Sequence, residues 1–210
     1  MGTKKPTWSH YFETRKANIL DIEKFRRFAL FVPFIQKNGE WHILFEVRAQ
    51  NVPQPGDVCF PGGKVDADDP TEKDAAIREL CEELGVKKSN VHLIGELDYM
   101  LTAFGLILYP YIGVLDEDAS FNINQDEVKE IFTVPLSALK KMEPKKHHVY
   151  LKVKPEDEFP FHLIPNGENY EWRTGVVNEQ FYGYDGYTIW GLTARILTHV
   201  LEEIELSENN

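Results

Sequence analysis

"CFPGGKVDADDPTEKDAAIRELCEELGV", residues Cys59–Val86, sets a Phe-Pro-Gly-Gly turn ahead of a run in which Glu79, Glu82 and Glu83 recur at helical spacing. An α-helix advances by about 100° per residue, so Glu82 and Glu83 fall within roughly 60° of Glu79, and Glu72 within about 20°. Ile77, Leu80, Cys81 and Leu84 gather at roughly 100–200° from the same origin, which separates a core face from a carboxylate face. Pro70 stands where a helix begins and Gly85 where one ends, so the pattern predicts a helix over 71–84. Carboxylates this close raise one another's pKa unless a cation intervenes. A hard divalent cation is one remedy, since Mg²⁺ takes oxygen ligands and is usually held by few carboxylates plus substrate phosphates. A solvated helix face knit by pairs such as Arg78 with Glu82 at i, i+4 is the other. The upstream glycine pair favours the cation, because glycine lets a backbone carbonyl approach an ion or phosphate unobstructed.

Outward from this stretch, "FALFVPFIQ" (28–36) and "WHILFEVRA" (41–49) read as strands joined by a "KNGE" turn. "QNVPQPGD" is a Pro/Gly loop leading into the glycine turn. "VHLIGELDYMLT" and "LILYPYIGVLD" read as strands separated by Ala103-Phe104-Gly105, "EVKEIFTVP" enters another, and "LSALKKM" is a short helix. Residues Phe12 to Arg27 have a polar, helix-compatible pattern that predicts an N-terminal arm. "HVYLKV", "FHLI" and "YEWR" suggest small β pieces among prolines, and "YTIWGLTARILTHVLEEIEL" an amphipathic C-terminal helix. Strands before, between and after helices imply an α/β fold, a mixed sheet covered on both faces.

The chain has 210 residues, 42% hydrophobic and 12% aromatic, enough for one domain with a real core spanning 1–210. A formal charge of -11 argues against general affinity for nucleic-acid phosphates or anionic membranes. Phosphates would have to be met by local cations. The two cysteines, Cys59 and Cys81, form neither a metal-type pair nor a disulfide framework. Met1 to Lys5 are not followed by an apolar run, and no segment reaches the roughly 20 apolar residues of a membrane span. These observations set the expectation of a cytoplasmic protein.

Gly63 with "RELCEELGV" (Arg78–Val86) resembles the Nudix box, G-x5-E-x7-R-E-U-x-E-E-x-G-U with U aliphatic, and matches its second half at every specified position. One extra residue separates Gly63 from Arg78, and the box's early glutamate is replaced by the acidic cluster Asp66, Asp68 and Asp69. That extension resembles the coenzyme A diphosphatase branch, as do Arg48-Ala49, Gly56-Asp57-Val58-Cys59 and Phe60-Pro61-Gly62-Gly63. The loop arginine of that branch has no counterpart in Pro53-Gln54-Pro55.

The resemblance implies a Nudix-type α/β/α sandwich and hydrolysis of a nucleoside diphosphate linked to another moiety. It carries over Glu79, Glu82, Glu83 and the Gly62 carbonyl as Mg²⁺ or Mn²⁺ ligands, and Arg78 as the partner that orients the helix glutamates. Divalent ions neutralise diphosphate charge and lower the pKa of a bound water, whose proton a carboxylate must take. Glu79 is one candidate base and Glu127, in a loop before "VKEIFTV", the other, with Glu130 as its competitor. Arg48 and Lys64 are candidates for substrate phosphates, a solvated Lys64 being the alternative.

The implied substrate is coenzyme A or an acyl derivative, with ADP-ribose, NADH or a nucleoside triphosphate as alternatives and a non-catalytic nucleotide-binding module as a third class. The partner is then a small nucleotide, with no nucleic acid and no membrane, and the chain a monomer or homodimer. His147-His148 read as exposed loop and Cys81 as packing, with Cys59 partly accessible. Trp172, Tyr182 and Tyr184 are read as core or as the lining of a substrate pocket.

Overall fold

Two long apolar strands with period-two alternation start the sheet. In the computed structural model, which describes residues 5–209, β1 (Arg26–Lys37) and β2 (Glu40–Arg48) pair antiparallel with Phe34 opposite Ile43 and Lys37 opposite Glu40. Met1 to Lys4 and Asn210 lie outside the described residues. Alternation sends Ala29, Phe31 and Leu44 to one face, and Val32, Phe34, Ile43, Phe45 and Val47 to the other. β3 (Val58–Cys59) adds to β2, and β4 (Gly62–Lys64) to β1. Beyond β1, β5 (Val91–Glu96) and β6 (Met100–Leu101) both pair with β7 (Leu106–Leu115). β7 runs parallel to β1 from Arg26–Leu106 to Ile35–Leu115, and β8 (Val128–Pro135) closes on the far side of β2. Eight strands thus form one mixed sheet.

Helices cover both faces, as the strand and helix order implies. After a short α1 (Ser9–Thr14), α2 (Glu72–Leu84) lays Ala75, Ala76, Leu80 and Leu84 on the Ala29–Phe31–Leu44 face. α3 (Leu136–Lys141) and α4 (Gly191–Glu208) cover the opposite face with Leu139, Ile196, Leu197 and Val200. Both ends of α2 are built locally. The Asp74 N–H donates to Thr71 Oγ1 at 3.2 Å, and Gly85 turns left-handed at φ 65° with its N–H donating to the Cys81 carbonyl at 3.0 Å. A Cβ at Gly85 would meet the Asn122 carbonyl at 2.1 Å, so only glycine closes the helix here.

Several segments differ from the sequence expectation. Of the arm expected over Phe12 to Arg27, residues 12–14 end α1, Ile22–Lys24 form a 3₁₀ turn and residues 26–27 already belong to β1, with none of them buried, because the polar pattern offers no apolar stripe to a partner surface. Phe161–Leu163 is a 3₁₀ turn rather than a strand, and Tyr170–Arg173 has no regular structure; Trp172 packs edge-on against Phe159 and Tyr170. Tyr187–Ile189 is β11, not the first turn of the last helix, and pairs with an unanticipated β10 (Gly175–Tyr184). β10 also pairs with β9 (Lys145–Leu151), a longer strand than "HVYLKV" suggests, which places His147 and His148 on an exposed strand and not in a loop.

Candidate active site

The Phe-Pro-Gly-Gly turn is pressed against the carboxylate face of α2. The Phe31 N–H donates to the Pro61 carbonyl at 2.9 Å, and Gly62 and Gly63 stand opposite Leu30 and Ala29. The Gly62 N–H donates to Glu83 Oε2 at 2.7 Å. A Cβ at Gly63 would sit 2.4–2.6 Å from the Glu79 carboxylate atoms, so glycine is required for that carboxylate to pack where it does. Gly62, expected to lend its carbonyl to an ion, is seen lending its amide to Glu83. Glu83, expected on a displayed face, is only 6% exposed, because the turn folds over it.

Arg78 ties the other acids together. Its Nε and Nη2 donate to Asp69 Oδ1 and Oδ2 at 2.9 and 2.8 Å, and Nη1 to Glu79 Oε1 at 2.9 Å and Glu82 Oε2 at 3.0 Å. Nη2 also reaches the Lys64 carbonyl at 3.2 Å. Of the three aspartates in the loop, Asp69 is the one held by the guanidinium fork, and it is the sixth residue after Gly63, the slot of the box's early acid. Glu72 lies apart from this group and pairs with Arg27.

Residues 25–153, more than half of the chain, match the NUDIX domain. The chain belongs to the NUDIX domain family. It is 36% identical over 111 residues to the peroxisomal coenzyme A diphosphatase NUDT7 of Mus musculus, a match covering 52% of this chain and 47% of the mouse protein, about half its length. It is 29% identical over 202 residues to the uncharacterized Nudix hydrolase NudL of Yersinia pestis, covering 95% of this chain and 86% of that one. A MutT/nudix family protein from Enterococcus faecalis shares the fold at a TM-score of 0.50 and 15% identity, over 94% of this chain and 68% of that one. Nudix hydrolases act on pyrophosphate bonds, and the chain falls in that enzyme class.

Around the Nudix helix the carboxylates oppose one another. Burial pushes Glu83 up to about 9, and the charges of Glu46, Glu79 and Glu127 add to this against the pull of the Gly62 amide. Burial likewise raises Glu46 to about 7, with Glu127 and Glu79 pushing the same way and the Cys59 thiol and Arg48 opposing. Glu79 is raised by burial, held back by Arg78, and pushed further by Glu82 and Glu127. Glu127, whose Oε2 accepts from Asn124 Nδ2 at 3.1 Å, thus belongs to the cluster. Glu130 does not: it pairs with Lys129 and stands opposite Val47, on the face away from Glu46. Arg48 donates from Nε to the Pro53 carbonyl at 2.8 Å, and the Lys64 side chain is exposed beside the glycines.

Sequence reasoning did not single out Glu46. Its signal was present, since Glu46 shares a strand face with Leu44, and an acid on the core side of a strand buried on both faces is out of pattern. Of the aromatic candidates, Tyr182 is core, with its hydroxyl 2.7 Å from Thr198 Oγ1. Cys81 is half-buried and Cys59 likewise, the latter donating to Glu46.

Among the described residues, no group of three or more His, Cys, Asp or Glu is already drawn to coordination spacing; the acids lean on Arg78 and the Gly62 amide instead. The donor set nevertheless fits a divalent ion. Every donor is a hard oxygen, three of the acids are raised by crowding and burial, and Glu46 Oε2 is a buried acceptor without a hydrogen-bond partner. No helix among the described residues is long and apolar enough to cross a membrane.

Glu83 and Glu46 are raised on folding from an ordinary 4.5, so their contribution to stability is complete below that value and is lost as pH climbs through about 7 and about 9. With metal chelated, thermal unfolding should give a Tm that falls between pH 5 and 9, by about 5–10 °C per pH unit up to pH 7, where both groups contribute, and by about 3–5 °C per unit above it. Added Mg²⁺ should flatten this slope, because the ion competes with the protons. A Tm in chelator that is flat or rises across this range contradicts the charge assignment.

Proposed function

We propose that the chain hydrolyses the diphosphate bond of coenzyme A or acyl-coenzyme A, releasing 3′,5′-ADP and 4′-phosphopantetheine or its acyl form. The observation that carries the diphosphatase reading is the seating of the glycine turn on the Nudix helix, with the Gly62 amide 2.7 Å from Glu83 and Glu79 packed against Gly63. The substrate reading is supported by the 36% identity to a coenzyme A diphosphatase and by Arg48-Ala49 and Phe60-Pro61-Gly62-Gly63 in the positions of that branch's signature.

Glu79, Glu82, Glu83 and the Gly62 carbonyl would hold Mg²⁺ or Mn²⁺, which when bound neutralises the diphosphate and activates water. Arg78 orients Glu79 and Glu82 by donating to both. Glu127 takes the water's proton in this reading, because Glu79 is engaged by Arg78 whereas Glu127 is held only by the neutral amide of Asn124. Arg48, whose charge already acts on Glu46, and Lys64 beside the glycines supply cations for the substrate phosphates. The setting proposed for this reaction is the cytoplasm.

A second reading, hydrolysis of ADP-ribose or NADH, is favoured by one observation. Pro53-Gln54-Pro55 offers no loop arginine, and the Pro53 carbonyl occupies Arg48 Nε instead. Parallel incubation of the full chain with coenzyme A, ADP-ribose and NADH in Mg²⁺ and in Mn²⁺, with product identification, separates the two. Coenzyme A should be turned over with a kcat/KM at least about tenfold above the others, yielding 3′,5′-ADP. Cleavage of ADP-ribose or NADH without cleavage of coenzyme A would transfer the assignment to the second reading.

A further inference from the structure

We propose that Glu46 is a further ligand of the divalent ion, offering its Oε2, with the Cys59 thiol fixing the carboxylate through Oε1. The inference rests on the reading of the Nudix carboxylates as a cation site and extends it to a residue outside the Nudix box.

The sheet sets Glu46 beside the site. Glu46 lies in β2 opposite Cys59 of β3 on one side and Ile131 of β8 on the other. β3 runs directly into Phe60-Pro61-Gly62, and β8 begins directly after Glu127. Glu46 therefore stands between the two segments that deliver the glycine turn and Glu127. Its side chain lies on the face it shares with Leu44, the face on which α2 packs.

The hydrogen bonding of Glu46 is also unfinished. Glu46 is 1% exposed, and its Oε1 accepts from the Cys59 thiol at 3.2 Å. Its Oε2 is buried and without a hydrogen-bond partner among the described residues. Buried carboxylate oxygens are rarely left so. The strand that carries Cys59 continues into Gly62, whose amide donates to Glu83 Oε2 at 2.7 Å, so one short segment joins the Glu46 carboxylate to an acid of the site. Arg78 cannot partner Glu46 Oε2, because its donors go to Asp69, Glu79, Glu82 and the Lys64 carbonyl. Arg48 gives its Nε to the Pro53 carbonyl. A cation shared with the Nudix glutamates supplies what the protein's own donors do not.

The test is Mn²⁺ titration of the full chain, with free Mn²⁺ read by electron paramagnetic resonance, for the wild type, Glu46→Gln and Cys59→Ala. Glu46→Gln keeps the shape and removes the charge; it should weaken the Mn²⁺ Kd about 10–100-fold. Cys59→Ala frees the carboxylate to rotate and should weaken it in the same direction by a smaller factor, and it carries the test if Glu46→Gln does not fold. Wild-type Mn²⁺ affinity in both variants, or in Cys59→Ala when Glu46→Gln is unfolded, overturns the role of Glu46 while leaving the Nudix site intact. A loss of kcat in Glu46→Gln at unchanged Mn²⁺ affinity makes Glu46 a proton acceptor and also overturns it. Failure of the wild type to bind Mn²⁺ at all overturns the underlying reading of the site instead.

Discussion

Glu82→Gln is expected to lower diphosphatase turnover by about 10³-fold, equivalent to about 4 kcal/mol of barrier, while leaving the protein folded. The two halves of this expectation have separate causes. Glu82 is 56% exposed, and the hydrogen bond that ties it down is the i, i+4 contact with Arg78 at 3.0 Å. An exposed pair of this kind contributes about 0.3–0.5 kcal/mol, so Tm should move by no more than about 2 °C. In the proposed mechanism activity depends on the carboxylate's charge at an ion, and an amide of the same shape removes that charge. Steady-state kinetics in saturating Mn²⁺ together with a thermal melt checks both. Normal activity, or a large drop in Tm, would show that Glu82 serves the helix surface and not the chemistry.

Arg78→Ala should damage stability and activity together. The Asp69 side chain is 6% exposed and is held by both arms of the Arg78 fork, which keeps its carboxyl down at about 2. Removing one partner of a buried pair costs about 3–5 kcal/mol, and the 29% exposure of Arg78 lets water reduce this to about 2–3 kcal/mol. The expected fall in Tm is about 4–12 °C. Glu79 and Glu82 also lose their common donor, so turnover at fixed Mn²⁺ should fall by about 10²-fold or more. Arg78→Lys should restore little of either, because one ammonium cannot replace a planar fork that donates to Asp69, Glu79, Glu82 and the Lys64 carbonyl at once. Wild-type melting and kinetics in Arg78→Ala would remove the orienting role.

The features legible in the sequence are those whose causes are local. α2 was readable from its period and from Thr71 and Gly85 at its ends, and the β1–β2 hairpin from alternation around Asn38-Gly39. The shared face of Glu79, Glu82 and Glu83 follows from their helical spacing, and the roles expected of them and of Arg78 from the resemblance to the Nudix box. The features that were not legible depend on contacts between distant segments. Glu83 reads as a displayed acid until the glycine turn is seen to cover it, and which of three aspartates reaches Arg78 is set by how the loop folds. Glu46 looks like one polar residue in a strand; its place in the site comes from the register that sets it opposite Cys59 and beside the strand that follows Glu127. β10 escaped notice because its partners are β9 and the short β11, not a neighbour with a matching apolar pattern.

The central proposal is that the acids on one face of the Nudix helix are kept together to take a divalent ion among them. Anomalous diffraction from a Mn²⁺-soaked crystal tests this most directly. The account predicts a Mn²⁺ peak at about 2.1 Å from carboxylate oxygens of Glu79, Glu82 and Glu83, with Arg78 drawn off at least one of them. A well-ordered site with no peak, in which the carboxylates keep their contacts with Arg78 and the Gly62 amide, would contradict it.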